Sequence, residues 1–253
     1  MCCVAGQRRG ARSGMEDSMQ SSVIGDEVAR FGALADQWWD PSGPMAPLHA
    51  MNPLRIGWID QRLKARFAAP VRLLDIGCGA GLAAEALARA GHDVTGVDAA
   101  AEAIAAAKAH ALLHAPGARL AYRCGTAEAL LAEGARFQAV TALEVIEHVA
   151  DPQRFVADLA GLLAPGGLLF LSTLNRTPQS YAMAKIGAEY LLRLLPVGTH
   201  RYRQFIRPEE LARMLREAGG LVTDTAGMRF NPFRGEWQES RDLSVNYIVA
   251  AMV

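Results

Sequence analysis

The sequence predicts an α/β fold: a seven-stranded, mostly parallel sheet with helices on both faces. Three observations carry this. From Val71 onward, short apolar runs alternate with alanine-rich helical stretches, the rhythm of a parallel sheet. Near its start, Leu73-Leu74-Asp75-Ile76-Gly77-Cys78-Gly79-Ala80-Gly81 runs from a buried strand through a glycine-rich turn into a helix. A second strand, Val94-Thr95-Gly96-Val97-Asp98, follows that helix and ends in an acid.

The elements follow in order. Strands are expected at 71–76, 92–97, 119–123, 137–142 and 167–173, with helices between them at 81–90, 100–114, 126–132 and 152–163. Ala164-Pro165-Gly166-Gly167 reads as a helix stop feeding the fifth strand. Pro208 opens a helix to Ala218. Two strands near 220–229 and 243–252, with no helix between them, form a terminal antiparallel hairpin. The chain thus divides into a tail (1–22), a helical cap (23–70), a cofactor-binding core (71–174), an insertion (176–204) and a closing helix and strands (205–253).

Composition excludes several functions. The length suits one α/β domain with additions. A formal charge of +0 gives no general attraction to nucleic acid. Cys2, Cys3, Cys78 and Cys124 lack metal-site or redox spacing and read as reduced thiols. No apolar run has the length of a membrane span. Residues 1–22 carry Arg8, Arg9 and Arg12 before the first acid, Glu16, but no clear amphipathic pattern. They read as a disordered tail, which favours a bacterial cytoplasm over a mitochondrion, and Met15 is an alternative start.

The glycine turn points to an adenosine-bearing cofactor. Glycine tolerates positive φ and lets a ligand approach the backbone. Asp98, about 20 residues on, can accept hydrogen bonds from both ribose hydroxyls. The spacing of Gly77, Gly79 and Gly81 differs from the dinucleotide fingerprint. Asp75 would repel a pyrophosphate but suits a cationic, amine-bearing ligand. S-adenosylmethionine, a sulfonium with an α-amino group, meets these conditions.

The segment after the fourth strand, Leu143-Glu144-Val145-Ile146-Glu147-His148, carries the candidate chemistry. If it is helical, Glu144, Glu147 and His148 share one face. Such a set can ligate a divalent ion, or the imidazole can act as a general base oriented by a carboxylate. An acidic helix start favoured by the dipole is the plain alternative. His200 is a second base candidate. In the insertion, Lys185, Glu189 and Arg193 form a narrow charged stripe on an otherwise apolar helix, which packs on the domain, closes over the substrate or lies at a membrane surface. The aromatic residues of 26–66, Trp38 and Trp39 among them, are expected mainly to pack the cap onto the domain.

Leu74-Asp75-Ile76-Gly77-Cys78-Gly79 with the later Val97-Asp98 resembles the class I, Rossmann-like S-adenosylmethionine-dependent methyltransferases over about 71–174. The flanks narrow this. Phe31, Trp38-Trp39-Asp40, Leu48-His49, Asn52-Pro53-Leu54-Arg55, Glu144, Glu147-His148-Val149, Gly198-Thr199-His200 and Phe205-Ile206 with Pro208 and Glu210-Leu211 resemble the ubiquinone-biosynthesis O-methyltransferases. Arg201 departs from the pattern, where an acid is more usual.

The resemblance implies S-adenosylmethionine binding by Arg55, Gly77, Asp98 and Leu143, to which the turn adds Asp75 and Gly79. It implies Mg2+ ligation by Glu144, Glu147 and His148, and membrane-lipid contact through 176–204. The implied reaction is methylation of phenolic hydroxyls on polyprenylated catechol and quinol intermediates at both O-methylation steps of ubiquinone synthesis. Glu144, His148 and His200 are the catalytic candidates. The enzyme is expected at the cytoplasmic face of a membrane, in assembly with other enzymes of the pathway. Two rival readings are a methyltransferase acting on a small soluble metabolite and a non-catalytic binder of the cofactor.

Overall fold

The computed structural model describes residues 22–68, 70–186, 202–231 and 234–253. Its centre is one sheet. The strands are β1 (Arg72–Ile76), β2 (Asp93–Asp98), β3 (Leu120–Cys124), β4 (Phe137–Leu143), β5 (Leu163–Leu174), β6 (Leu221–Asn231), β7 (Glu236–Ser240) and β8 (Asn246–Met252). They lie in the order β3-β2-β1-β4-β5-β8-β6-β7. β1 to β5 are parallel, while β8, β6 and β7 are paired antiparallel.

The helices are α1 (Gly25–Gly32), α2 (Ala46–Arg66), α3 (Leu82–Arg89), α4 (Ala101–His114), α5 (Ala127–Ala132), α6 (Pro152–Gly161), α7 (Pro178–Ile186) and α8 (Pro208–Glu217). Local chemistry sets their starts. Thr126 accepts from the Ala129 amide at the head of α5, and Asp151 accepts from Arg154 at the head of α6. Pro208 opens α8, where the Glu210 carboxylate accepts from the Arg207 amide.

Three expectations change. The sheet has eight strands, because Glu236–Ser240 pairs with β6 at the edge. That segment is polar apart from Trp237, as exposed edge strands often are, and so carries little hydrophobic signal. The two terminal strands do pair antiparallel, but β7 comes between them in sequence and β8 inserts between β5 and β6. In addition, Ala164–Gly167 does not precede β5 but lies within it. The register slips between the Phe137 and Ala139 pairings, and Gly166 adopts φ 73°.

Alternation along the strands splits the core into two layers. Leu73, Phe170 and Ile248 face Trp58, Ile59, Leu63 and Leu87 of the cap and α3. Leu74, Leu171 and Val249 face Phe155, Leu159 and Leu211 of α6 and α8. Each large side chain buried this way stabilises the fold by about 1.5–3 kcal/mol. The first layer locks α2 onto the sheet. The second fixes the turn after β4 through Ile146, which is fully buried.

α1 and α2 form the expected cap. α1 is tethered at its base, where the Ser22 amide donates to Glu128, the Ala150 amide donates to the Ser22 carbonyl, and Val23 bridges Val149. The N-terminal tail up to residue 21 and most of the insertion, including Glu189, Arg193, His200 and Arg201, lie outside the described residues. α7 gives the start of the insertion a helical backbone.

Candidate active site

The glycine turn connects β1 to α3. Gly77, Gly79 and Gly81 adopt φ of 69°, 53° and 94°, which side chains rarely tolerate. Asp98 holds the turn in place: its Oδ2 accepts from the Gly79 amide at 2.8 Å and its Oδ1 from the Ala100 amide at 2.8 Å. Burial raises its pKa, against the pull of those two amides. Each oxygen keeps a further lone pair for a ribose hydroxyl. The cradle is covered closely: a Cβ on Gly77 would collide with Val145, one on Gly79 with the Trp38 ring, and one on Gly81 with Tyr122.

Beside the turn lies a buried polar crevice. Asp75, at the end of β1, accepts from Thr141 Oγ1 at 2.7 Å through Oδ1, while Oδ2 has no partner. Burial pushes its carboxyl up to about 6, with Thr141 and Arg55 opposing. Arg55 descends from α2 and is only 3% exposed. Its Nη1 lies 3.5 Å from Glu144 Oε1, and neither Nη1 nor Nε makes a hydrogen bond. Burial lowers its pKa, and the charges of Glu144 and Asp75 counter that. A buried polar atom without a partner costs about 1–3 kcal/mol, more when charged. Concentrated at one place, such atoms mark a ligand site.

The turn after β4 differs from the helical arrangement considered for it. Leu143 ends the strand, and Glu144 is the one non-glycine residue of positive φ among the described residues, at 57°. A short 3-10 helix follows at Ile146–His148. Glu144 Oε1 accepts from Ser172 Oγ at 2.7 Å, and Glu147 Oε2 accepts from Thr173 Oγ1 at 2.8 Å. Consecutive residues of a strand point to opposite faces, so β5 engages the two acids from different faces. Burial, aided by the charge of Glu144, pushes the Glu147 carboxyl well above the usual carboxylate range. His148 turns to the cap: its Nδ1 is 3.1 Å from Glu27 Oε2, and its ring meets Phe31 edge-on at 5.3 Å.

The grouping anticipated for Mg2+ is therefore not assembled. Glu144, Glu147 and His148 do not fit a divalent ion as arranged, and no set of three such ligands occurs among the described residues. Arg55, Asp75, Gly77, Gly79, Asp98, Leu143 and Glu144 do come together, at the carboxyl ends of β1, β2 and β4. This set fits S-adenosylmethionine: a guanidinium for its carboxylate, a carboxylate for its positive charge and an acid for its ribose.

Sequence reasoning missed two side chains. Asn52, one turn before Arg55 on α2, donates to the Leu82 carbonyl and leaves Oδ1 without a partner. Asn246 opens β8, contacts Met51 Sδ and likewise leaves Oδ1 without a partner. The signal for Asn246 was a polar residue heading an otherwise apolar strand. Trp38, read as packing, lies directly on the glycine turn.

A family model described as a methyltransferase domain matches residues 49–223. A curated protein of Cereibacter sphaeroides named ubiquinone biosynthesis O-methyltransferase is 49% identical, over 94% of this chain and 99% of its own. One of the same name from Chelativorans sp. (strain BNC1) is 45% identical, over 94% and 96%. Among solved structures, magnesium protoporphyrin IX methyltransferase from Synechocystis PCC 6803 with bound SAH aligns with a TM-score of 0.62 at 20% identity, over 90% of this chain and 94% of that one. The same enzyme with bound SAM gives 0.61. At this identity the structural likeness bears on the fold alone.

Proposed function

The chain belongs to the ubiquinone biosynthesis O-methyltransferases, and from that premise we propose that it methylates phenolic hydroxyls of polyprenylated catechol and quinol intermediates, at both O-methylation steps of the pathway. It is an S-adenosylmethionine-dependent enzyme. The observation that carries the reading is likeness over nearly the whole chain, cap and β4 exit included, rather than over the glycine turn alone.

The bound cofactor supplies an electrophilic methyl group on a sulfonium, open to in-line attack by a phenolate. The chain's own residues provide the rest. Arg55 holds the carboxylate end, Asp98 fixes the ribose, and Asp75 sets a negative charge opposite the positive centre. The cap excludes water and aligns the reactants, which accounts for much of the acceleration in such transfers. A phenol with pKa about 10 must lose its proton for attack. His148 accepts it, oriented by Glu27 through Nδ1; His200 is the second candidate.

The prenyl tail explains why the enzyme works at a membrane surface. We place it at the cytoplasmic face, in contact through 176–204 and in assembly with other enzymes of the pathway. No helix among the described residues is long and apolar enough to cross a membrane. The test is turnover with prenylated 2-hydroxyphenol and 5-hydroxyquinol acceptors, with and without magnesium. Methylation of both supports the proposal. Preference for acceptors without the tail, or no label leaving the cofactor, overturns it.

A further inference from the structure

Trp38 and Trp39 are consecutive, come from the same turn of the cap and treat their indole N–H groups differently. Trp39 Nε1 donates to the Ala80 carbonyl at 3.0 Å, and its ring stacks on His110 at 3.3 Å. This pins the cap to the head of α3. The Trp38 backbone is fixed as well, since its carbonyl lies 2.9 Å from His49 Nε2. Yet Trp38 Nε1 has no partner among the described residues, although the residue is only 7% exposed.

Trp58 Nε1 is bare too, within the apolar core, so what sets Trp38 apart is where its ring lies. A tryptophan in a core ordinarily satisfies its N–H, and a polar group left bare there is costly. The ring does not lie in an apolar layer away from the chemistry. It rests on Gly79, the residue whose amide binds Asp98 Oδ2. Asp98, an acceptor, takes the hydrogens of the ribose hydroxyls and leaves their oxygens short of a donor. Arg55 is assigned to the carboxylate. Tyr122 OH and Trp39 Nε1 also reach the turn but donate to its carbonyls, whereas the Trp38 indole lies on the turn with its N–H unspent.

We propose that Trp38 is a cofactor-binding residue: its ring forms the ceiling over the glycine turn, and its Nε1 donates a hydrogen bond to an oxygen of bound S-adenosylmethionine. The inference rests on the cofactor reading above. It explains why Gly79 must lack a side chain on two counts, its positive φ and the ring lying against it. It also gives the paired tryptophans distinct tasks, one anchoring the cap and the other closing it on the ligand.

S-adenosylhomocysteine is the probe, titrated calorimetrically into the full-length protein. Trp38→Phe keeps an aromatic ceiling and removes the donor, and should weaken binding roughly three- to tenfold, the usual worth of one neutral hydrogen bond. A benzothienylalanine at position 38 keeps the bicyclic ring and lacks only the N–H, and should show the same loss. In the wild type, S-adenosylhomocysteine should move one indole N–H resonance downfield, the one missing from Trp38→Phe. Unchanged affinity in the benzothienylalanine protein, or a Trp38 resonance that does not respond, overturns the proposal. Failure of the wild type to bind S-adenosylhomocysteine overturns the cofactor reading instead.

Discussion

Arg55 Nη1 stands 3.5 Å from Glu144 Oε1, although one residue belongs to the cap helix and the other to the turn after β4. The contact joins the cap to the sheet at the point where β4 hands the chain to the turn that begins at Glu144. It is long for a hydrogen bond, and it leaves two guanidinium nitrogens of Arg55 without hydrogen bonds. A cofactor carboxylate can take those donors without displacing Glu144 from Ser172.

Arg55→Lys and Arg55→Ala should therefore act mainly on cofactor affinity. A charge-assisted bond is worth about 1.5–3 kcal/mol, so the Kd for S-adenosylhomocysteine should rise roughly ten- to a hundredfold. Lysine should rescue little, because it lacks the planar fork. Calorimetry decides this. An affinity within twofold of wild type for Arg55→Ala would mean that the carboxylate binds elsewhere.

Asp75 links the crevice to stability. Its folded pKa, about 6, lies above the ordinary carboxylate value. A raised carboxyl contributes stability below the unfolded pKa, and that contribution is lost as pH climbs through the folded value. The window runs from about 4 to about 6. Asp75→Asn should remove the loss and leave the cofactor-free protein more stable at pH 7 by about 2–3 kcal/mol, while binding S-adenosylmethionine less tightly. Thermal melts from pH 4 to 8 would refute this if wild type and variant kept parallel profiles.

Gly79→Ala tests the cap against the turn. The new methyl group meets both a positive φ and the Trp38 ring. The backbone strain alone costs about 1–3 kcal/mol. Cofactor affinity should collapse, and shrinking the ring with Trp38→Leu should restore part of the lost stability. The check is a double-mutant cycle read by denaturation. Strict additivity would show that ring and glycine do not touch in solution.

Much of this was legible in sequence, and the reason is physical. The β1 turn, Asp98 and the helix boundaries express backbone requirements that only certain residues meet. Arg55 was reachable only through family likeness, because nothing local ties a residue of α2 to the end of β4. The single helical face considered for Glu144–His148 does not form, because Glu144 has positive φ and only Ile146–His148 is helical. The two acids are engaged by adjacent residues of β5, Ser172 and Thr173, far away in sequence. Likewise β7 was invisible because a polar edge strand has no apolar period, and Trp38 looked like packing because a missing hydrogen bond leaves no trace in a sequence.

His148 is the group whose removal should touch chemistry and spare binding. It follows the turn that Glu144 opens, and Glu27 of the tethered helix α1 holds its Nδ1. A carboxylate in that position fixes the ring and stabilises the imidazolium formed when the phenol is deprotonated. Positioned proton transfer contributes about 10²–10⁴-fold, so His148→Ala should lower kcat by that order with the Kd for S-adenosylhomocysteine unchanged. Glu27→Gln keeps the shape and loses the charge, and should lower kcat by a smaller factor while lowering the pH at which the reaction reaches its plateau. That direction follows because the imidazolium loses its counter-charge, so the ring gives up its proton at lower pH and is the weaker base. Single-turnover rates across pH 6 to 10 separate the two effects. A His148→Ala enzyme within a few-fold of wild type would pass the role of base to His200.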